Sequence, residues 1–421
     1  MAGAEKKLSQ TQQSCEVPCK GGIRALDNKF SLPKEQKIYY EALKTKVALI
    51  ECPDYDAERV FRAVRKGVDL LGGIGRFVCA TEKILLKPNL LIGAAPEKAV
   101  TTHPSLLKAM ALLCRQNGGR VSFGDSPGWG SPQSVAAKAG LEAVAKEIGL
   151  EQTDFQTPVT VSFNEALIAK QLVLAKGVLA ADGIISLAKM KTHGFMRITG
   201  AVKNQFGCVP GLRKGEFHVK MPTAEHFAAM LVDISRYLKP RLYVMDGIVA
   251  MEGNGPRSGQ TRKMKVLLFS SDPVALDAVF CRLINLSPEY VPTMKPGLES
   301  GLGTYQDSQI EICGDPISDL VCPDFKVVRQ PAVTFDRAFP YYLKNWITPR
   351  PFINYERCNN CEVCTTVCPL HPKAVSHLSG HPETKPVFDY RRCIRCYCCQ
   401  ELCPHGAITI KQPILSRIIH R

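Results

Sequence analysis

The chain reads CNNCEVCTTVCP at residues 358–369 and CIRCYCCQELCP at residues 393–404, so that one cysteine spacing occurs twice. In each stretch, two residues separate the first three cysteines from one another, and a fourth cysteine precedes a proline. Soft thiolate sulfur ligates iron–sulfur clusters, and in two-cluster ferredoxins the fourth cysteine of each stretch ligates the cluster of the other stretch. The spacing therefore predicts two 4Fe–4S clusters. The predicted ligands are Cys358, Cys361, Cys364 and Cys403 for cluster 1, and Cys393, Cys396, Cys399 and Cys368 for cluster 2.

Zinc is the alternative metal for such cysteines. A structural zinc site commonly takes two Cys-x-x-Cys pairs, and it leaves no use for a third evenly spaced cysteine or for the Cys-Pro pair. Two copies of one four-cysteine pattern therefore favour iron–sulfur clusters over zinc.

Length and composition favour a large intracellular protein. With 421 residues, 45% of them apolar, the chain is long enough for two or three domains around a sizeable core. It has no run of about 18 apolar residues, and residues 1–20 lack the apolar stretch of a signal peptide. Eighteen cysteines in a chain of this length predict thiols and metal ligands rather than disulfides. We therefore expect no membrane span, and a cytoplasmic location that is reducing and anaerobic.

The formal net charge of +15 raises the question of nucleic-acid binding. The basic excess is spread along the chain, without a long basic run or a recognisable nucleic-acid motif. Bound clusters would also lower the total, because an oxidised cluster with four thiolates carries about −2. We therefore expect an anionic small-molecule substrate or a redox partner protein, and no nucleic acid.

Short apolar strands alternate with amphipathic helices over most of the chain. Such alternation predicts an α/β fold with a mainly parallel sheet covered by helices on both faces. The predicted strands are residues 46–52, 83–87, 120–123, 183–189, 242–246 and 265–269. The predicted helices are residues 35–44, 56–71, 104–116, 134–148, 224–238 and 273–286. The predicted parts of the chain are a mobile arm (1–35), the α/β domain (36–330), a connector (331–350), a small α+β two-cluster ferredoxin-like domain (351–412) and a basic tail (413–421).

Polar residues follow four of the predicted strands, where parallel sheets bind their ligands. In strand order they are Lys87 and Asn89; Asp125 and Ser126; Lys189, Lys191 and His193; and Asp246 with the loop from Glu252 to Arg257. Taken singly, each has a structural explanation as a turn, a helix cap or a loop residue. Together they predict a site for an anion such as a phosphate, carboxylate or enolate, with His193 and the carboxylates able to move protons.

Motifs for nucleotide cofactors are absent from the sequence. The run Gly253-x-Gly255-x-x-x-Gly259 has one residue too many for the dinucleotide fingerprint, and a strand rather than a helix follows it. The run GLRKG at residues 211–215 lacks the Gly-Lys-Ser/Thr ending of a Walker loop. We therefore expect no flavin or nicotinamide cofactor.

The strand-end motifs resemble those of the iron–sulfur members of the domain-of-unknown-function family 362. The matching stretches are KPN (87–89), THP (102–104), GDS (124–126), KMKTH (189–193), GAVKNQFG (200–207), DG (246–247), EGNGPR (252–257) and DPVALD (272–277). The resemblance implies architecture and cofactor but no reaction, and it adds Lys203 and Asn204 to the candidate site. The candidate catalytic residues are then Lys87, Asp125, Lys191, His193, Lys203, Asn204, Glu252 and Arg257. The C-terminal stretches resemble bacterial two-cluster ferredoxins, with two extra residues in the loop after Cys368-Pro369.

Three functions fit these observations. The first is an iron–sulfur oxidoreductase whose clusters exchange electrons with a substrate in the cleft. The second is a ferredoxin-like carrier whose α/β domain is a docking platform for a partner oxidoreductase. The third is a maturation factor that delivers electrons or metal to another protein, and the sequence does not separate it from the second.

Overall fold

The computed structural model describes residues 44–211, 213–330, 347–377 and 383–413, which all belong to one compact unit spanning residues 42–421. The predicted arm, almost all of the helix predicted at 35–44, most of the connector and most of the basic tail lie outside these ranges.

Strands and helices alternate along the described chain. The strands are β1 (Thr45–Glu51), β2 (Lys83–Lys87), β3 (Arg120–Phe123), β4 (Glu151–Gln152), β5 (Pro158–Ser162), β6 (Gln171–Ala175), β7 (Gly183–His193), β8 (Arg197–Thr199), β9 (Leu242–Glu252), β10 (Gln260–Ser270), β11 (Ile310–Gly314), β12 (Arg350–Ile353), β13 (Val375–Ser376), β14 (Val387–Phe388) and β15 (Ile408–Lys411). The helices are α1 (Ala57–Leu70), α2 (Pro104–Gln116), α3 (Pro132–Lys138), α4 (Leu141–Glu147), α5 (Lys176–Leu179), α6 (Ala201–Asn204), α7 (Arg213–Lys220), α8 (Ala224–Leu238), α9 (Pro273–Leu283), α10 (Met294–Glu299), α11 (Val363–Val367) and α12 (Cys398–Leu402).

The main sheet is mixed but mainly parallel, which confirms the predicted fold class. Its strands lie in the order β11-β1-β10-β9-β7-β2-β3-β4, and β8 pairs with β7. The run β9-β7-β2-β3-β4 is parallel, as is the pair of β1 and β11. Strand β10 is antiparallel to both β1 and β9. The carboxyl ends of β3, β2, β7 and β9 therefore lie side by side at one edge.

Both faces of this sheet are covered, because successive residues of each strand point to opposite faces. In β1, Val47 and Leu49 pack into the core on one face, and Ala48 and Ile50 pack into the core on the other. Helices α1, α2, α3 and α4 supply residues to the second core, whereas α6, α8 and α9 supply residues to the first. The two apolar cores hold the strand ends in fixed register.

Several predicted elements have different bounds in the structure; the helix predicted at 273–286, for example, ends at Leu283. The helix predicted at 134–148 was wrong as one piece, because Gly140 has a φ of +74° and separates α3 from α4. The strands predicted at 183–189, 242–246 and 265–269 were too short, because β7 runs to His193, β9 runs to Glu252, and β10 begins at Gln260. Every residue of β7 is buried, including its lysines, so that the polar residues predicted to follow this strand belong to it.

The C-terminal residues 347–377 and 383–413 form the cluster module. Strand β12 pairs antiparallel with β15, and β13 pairs antiparallel with β14. Helix α11 contains Cys364 and helix α12 contains Cys399. The module has its own small core of Ile353, Ala374, Val375, Ala407 and Ile408, packed against the cysteines.

Candidate functional site

Lys87 and Asp125 form a buried ion pair at the ends of β2 and the neighbouring β3. Lys87 Nζ lies 2.8 Å from Asp125 Oδ1, and both side chains are almost completely shielded from solvent. The other carboxylate oxygen of Asp125 accepts a hydrogen bond from the Leu90 amide at 2.7 Å. These two predicted residues are therefore brought together, and each neutralises the other.

Lys189 makes a second buried pair, with Asp246 in the middle of β9. Its Nζ lies 2.8 Å from Asp246 Oδ2 and 2.8 Å from the Tyr55 hydroxyl, which itself donates to Asp246 Oδ1 at 2.7 Å. The Tyr55 ring stacks on His103 with 3.5 Å between ring centroids. Burial lowers the pKa of Lys189, and the Asp246 carboxylate opposes that shift. This network links two strands and a loop, and its hydrogen bonds are made within the chain.

Lys191 lies two residues further along β7 and is also held by internal partners. Its ammonium donates to Asn89 Oδ1 and to the Val100 carbonyl, each at 2.7 Å. Burial lowers its pKa to about 7. The Asn89 amide in turn donates to Asn204 Oδ1 at 3.2 Å. Lys191 is therefore connected to Asn204 by a chain of hydrogen bonds that runs through Asn89.

Helix α6 places Lys203 and Asn204 beside these pairs. Asp277 of α9 accepts hydrogen bonds from the Ala201 and Val202 amides, which fixes the start of the helix. The amide of Asn204 donates to Ser186 Oγ at 2.9 Å. Lys203 differs from Lys87, Lys189 and Lys191. No hydrogen bond or ion pair joins Lys203 to any residue that the structure describes. Burial lowers its pKa, while the carboxylate of Glu401 opposes that shift.

The cluster module docks on the loop that follows β9. The amide of Gln400 donates to Asn254 Oδ1 at 2.8 Å and to the Gly255 carbonyl at 3.1 Å. The Arg257 guanidinium donates to the Leu402 carbonyl at 2.5 Å. Arg257, predicted as a catalytic candidate, thus contacts the cluster module rather than the strand-end residues.

Glu252 also lies away from the strand-end residues. One of its carboxylate oxygens accepts from the Lys326 amide at 3.0 Å, and the other lies 3.9 Å from Lys326 Nζ. The structure gives Glu252 a role in holding the 326–330 segment against β9, rather than a place beside Lys203.

His193 faces the cluster module, and it also lines a separate cavity of about 520 Å³. Its Nε2 lies 3.4 Å from Glu401 Oε2 on α12. Its Nδ1 accepts hydrogen bonds from the Phe195 and Met196 amides at 3.0 and 3.2 Å. The proton of the neutral ring is therefore held on Nε2, toward Glu401. Burial lowers the pKa of His193 to about 4, so that the ring is neutral at pH 7.

A cavity of about 680 Å³ lies between the strand ends and the cluster module. We call it the interface cavity. From the α/β domain it is lined by residues including Asp125, Trp129, Lys203, Asn204, Phe206, Lys214, His218 and Val219. From the cluster module it is lined by residues including Cys368, Lys373, Cys398, Glu401 and Leu402. It joins three of the predicted catalytic candidates to a predicted ligand of cluster 2.

Glu401 and His218 are residues of this cavity that the sequence did not indicate. In the sequence, Glu401 lies between the predicted cluster ligands Cys399 and Cys403. That position did not indicate its contact with His193, which is distant in sequence. Burial disfavours its ionised form, but the charge of Lys203 and the contact with His193 outweigh this and lower the pKa of Glu401. His218 belongs to α7, and its ring stacks on Phe227 at 4.4 Å. The sequence could not indicate His218 as a site residue. A single histidine in a helix lines a cavity only if its side of the helix faces that cavity, and the sequence does not show where the cavity lies.

The eight predicted cluster ligands are gathered into two groups. Cys358, Cys361, Cys364 and Cys403 line one small cavity, together with Ile353, Pro386 and Ile408. Cys368, Cys393, Cys396 and Cys399 line another, together with a fifth cysteine, Cys398, and with Val375 and Phe388. Each group takes three cysteines from one stretch and the fourth from the other stretch. Four thiols around an apolar cavity are the donor set that an iron–sulfur cluster requires.

Comparison with known proteins finds a family match for two segments of the chain. Residues 84–282 match the domain of unknown function DUF362, and residues 350–407 match a 4Fe–4S dicluster domain. The thylakoid-associated protein sll1697 of Synechocystis sp. is 35% identical over 257 residues, which cover 61% of this chain and 79% of that relative. The chain belongs to the DUF362 family. This DUF362 protein carries a 4Fe–4S dicluster domain, and with it an iron–sulfur electron-transfer role.

Solved structures resemble this DUF362 protein more distantly. The lactate racemase apoprotein from Thermoanaerobacterium thermosaccharolyticum aligns with a TM-score of 0.37 and 13% identity over 61% of this chain and 59% of its own. A protein from Thermotoga maritima aligns with a TM-score of 0.30 and 12% identity over 51% of this chain and 56% of its own. The chain thus spans less than two thirds of either structure. Separately, none of the helices in the described ranges has the length and apolar character needed to cross a lipid bilayer.

Proposed function

We propose that this protein is a ferredoxin-coupled redox protein in which the cluster module exchanges electrons with a small molecule bound in the interface cavity. The observation that carries the proposal is the lining of that cavity. Asp125 after β3 and Lys203 and Asn204 of α6 line it on one side, and Cys368 with its neighbours lines it on the other. A molecule in the cavity would therefore contact both the polar residues of the α/β domain and the shell of cluster 2.

The two cysteine groups support the cofactor part of the proposal. We assign cluster 1 to Cys358, Cys361, Cys364 and Cys403, and cluster 2 to Cys368, Cys393, Cys396 and Cys399, because each set lines one cavity. A 4Fe–4S cluster supplies reversible transfer of single electrons.

The two cluster positions differ in their surroundings, which supports a direction for the electron path. Cys361 is exposed to solvent, so that cluster 1 is accessible to a partner protein. Each predicted set has two buried cysteines, Cys364 and Cys403 for cluster 1 and Cys368 and Cys399 for cluster 2, and of these Cys368 borders the interface cavity. We propose that a redox partner docks beside Cys361, and that the small molecule lies beside cluster 2.

Lys203 is the lysine best placed to act on the bound molecule. Lys87, Lys189 and Lys191 are tied to Asp125, Asp246 and Asn89, whereas Lys203 borders the cavity without such a partner among the described residues. An ammonium at this position would stabilise negative charge on a bound molecule. Of the lysines that the sequence predicted for an anion-binding cleft, we therefore propose Lys203 as the principal one available to a ligand.

Metal analysis and redox titration of the full chain, purified without oxygen, test this proposal. We expect about eight iron and eight sulfide per chain and two cluster signals in electron paramagnetic resonance. Lys203→Met removes a positive charge beside cluster 2, so it should lower the midpoint potential of cluster 2 by tens of millivolts, on the order expected for one partly screened charge. Cluster 1 should keep its potential. Lys108→Met, on α2, is the matched control and should change neither potential.

Zinc in place of iron, or equal effects of Lys203→Met on both clusters, would reject the arrangement. The exposed Cys361 also suits a second function, a ferredoxin-like carrier or maturation factor that hands electrons to a partner protein. For such a carrier, Lys203→Met should leave electron transfer to the partner unchanged. We also propose a reducing, anaerobic cytoplasm as its setting, since Cys114, Cys208 and Cys281 are buried as free thiols.

A further inference from the structure

We propose that the interface cavity binds a planar conjugated carbonyl compound of the quinone type, with Lys203 and His218 as hydrogen-bond donors to its carbonyl oxygens. This inference rests on the proposed function and names the class of molecule that the cavity holds. Four features of the cavity support it: its size, its apolar walls, the free hydrogen-bonding capacity of His218 and the balance of charge around Lys203.

The size and walls of the cavity suit a flat apolar molecule. Its volume of about 680 Å³ lies within the usual range of small-molecule sites, roughly 300–1,000 Å³. Leu91, Trp129, Phe206, Val219 and Leu402 contribute apolar surface to its lining. Aromatic walls favour ring systems, because offset stacking adds to the free energy gained from burial. A small hydrophilic anion would leave most of this surface without a partner.

His218 has hydrogen-bonding capacity that the described chain does not use. The residue is 6% exposed, and its Nδ1 is buried without a hydrogen-bond partner among the described residues. The ring borders the cavity and stacks on Phe227, which fixes its orientation. A buried polar atom without a partner costs about 1–3 kcal/mol. A ligand that offers a polar oxygen at the ring edge would remove that cost.

The charges around Lys203 favour a neutral ligand over a strongly anionic one. The Glu401 carboxylate acts on Lys203 from the cluster module, and Asp125 lies behind it in its pair with Lys87. Three other lysines border the cavity. Lys214 donates to the Ser126 and Pro127 carbonyls, Lys373 donates to the Thr366 and Cys368 carbonyls, and Lys220 lies 3.9 Å from Glu216. The cavity therefore lacks the cluster of free cations that a phosphate or dicarboxylate requires. A carbonyl oxygen is neutral when it binds, and it gains negative charge beside the Lys203 ammonium when the molecule accepts an electron.

One-electron donors also restrict the class of acceptor. Iron–sulfur clusters transfer single electrons, so a suitable partner molecule must tolerate one-electron reduction. Extended conjugation with carbonyl oxygens gives that property, and it gives the flat shape that the walls favour. A planar conjugated carbonyl compound is the class that meets the shape, hydrogen-bonding and charge requirements together.

Fluorescence of Trp129 gives a direct measure of binding. The chain has two tryptophans, Trp129 and Trp346, so that Trp346→Phe leaves the cavity tryptophan as the only one. The full chain with its clusters is titrated anaerobically with menadione, a methylnaphthoquinone, with correction for absorption. We expect saturable quenching, and a loss of affinity of about tenfold for Lys203→Met and for His218→Phe, as one hydrogen bond each predicts. Lys108→Met and His226→Phe, on helices away from the lining, should keep the affinity.

Two ring-matched probes keep the test decisive even where a variant fails to fold. Naphthalene has the ring without oxygens, and 2-naphthoate carries a carboxylate in place of the carbonyls. Tighter binding of 2-naphthoate than of menadione would show an anion site, and equal binding of naphthalene would show a merely apolar one. Either outcome, or no binding of menadione, overturns the inference. The proposed function would survive that result if Lys203→Met still shifted the potential of cluster 2 alone.

Discussion

The Lys87–Asp125 pair offers the sharpest test of how the strand-end residues work. Its atoms lie 2.8 Å apart, and side-chain exposure is 0% for Lys87 and 3% for Asp125. Removing one member leaves the other charge buried without its partner, which costs about 3–5 kcal/mol. We therefore expect Lys87→Met and Asp125→Asn each to destabilise the sheet edge by about that amount. The double variant removes both charges, so it should cost much less than the sum of the two single changes.

Native-state hydrogen exchange of amides in β2 and β3 is the suitable measurement, because loss of the clusters makes global unfolding irreversible. The exchange rates report the free energy of local opening beside the pair. The exposed pair of Lys108 and Glu147 is the matched control. Its single variants should each change that free energy by less than about 1 kcal/mol. Single costs below about 1 kcal/mol at Lys87 and Asp125, adding simply in the double variant, would refute a mutually neutralised buried pair.

Three further predictions concern the same edge and its contact with the cluster module. Gly207→Ala would place a Cβ 1.8 Å from Asp125 Oδ1, so it should cost about 2–4 kcal/mol in the same exchange measurement, whereas Gly215→Ala, with 3.5 Å to its nearest atom, should cost nothing. The pKa of His193 is lowered to about 4, so the unfolded state binds more protons between pH 6.5 and pH 4. Stability should therefore fall by about 3 kcal/mol as the pH drops through that window, and native-state hydrogen exchange of β7 amides in His193→Gln should lack this component. Gln400→Ala removes hydrogen bonds to the loop after β9, so limited proteolysis should release the cluster module at least about fivefold faster; an unchanged rate would argue against this contact.

The sequence predicted the architecture of the sheet edge better than the roles of its residues. Strands β2 and β3 and helices α2 and α8 have the predicted bounds, because each combines clear periodicity with a sharp beginning and end. The four strands that carry the polar motifs, β3, β2, β7 and β9, are neighbours in the parallel part of the sheet. The assignment of the cysteines to two clusters stays a prediction from the crossed ligation of two-cluster ferredoxins, and the cysteines of each predicted set line one cavity.

The roles of the lysines could not be predicted, because their partners are distant in sequence. Lys189 pairs with Asp246, 57 residues away, and Lys191 contacts the Val100 carbonyl, 91 residues away. Sequence patterns treat a polar residue after an apolar run as the end of a strand. In β7 these residues continue the strand inside the protein, because internal hydrogen bonds offset the cost of burying them. Lys189 and Lys191, which the sequence suggested as free cations, are instead buried lysines with hydrogen-bond partners inside the protein.

The contact between the α/β domain and the cluster module helps to decide between two roles of the α/β domain. It could be a docking platform for a partner protein, or it could form one side of a small-molecule site. A mobile carrier module needs no close packing, yet Gly194 would place a Cβ 2.2 Å from Ile410 Cδ1, and Gly128 would place one 3.3 Å from Leu402 Cδ2. His193, held by two backbone amides, then directs its Nε2 proton at Glu401, which borders the interface cavity. One wall of that cavity thus belongs to the cluster module, which matches a 4Fe–4S dicluster domain. This fixed, shared cavity favours a protein that uses its electrons internally over one that only passes them on.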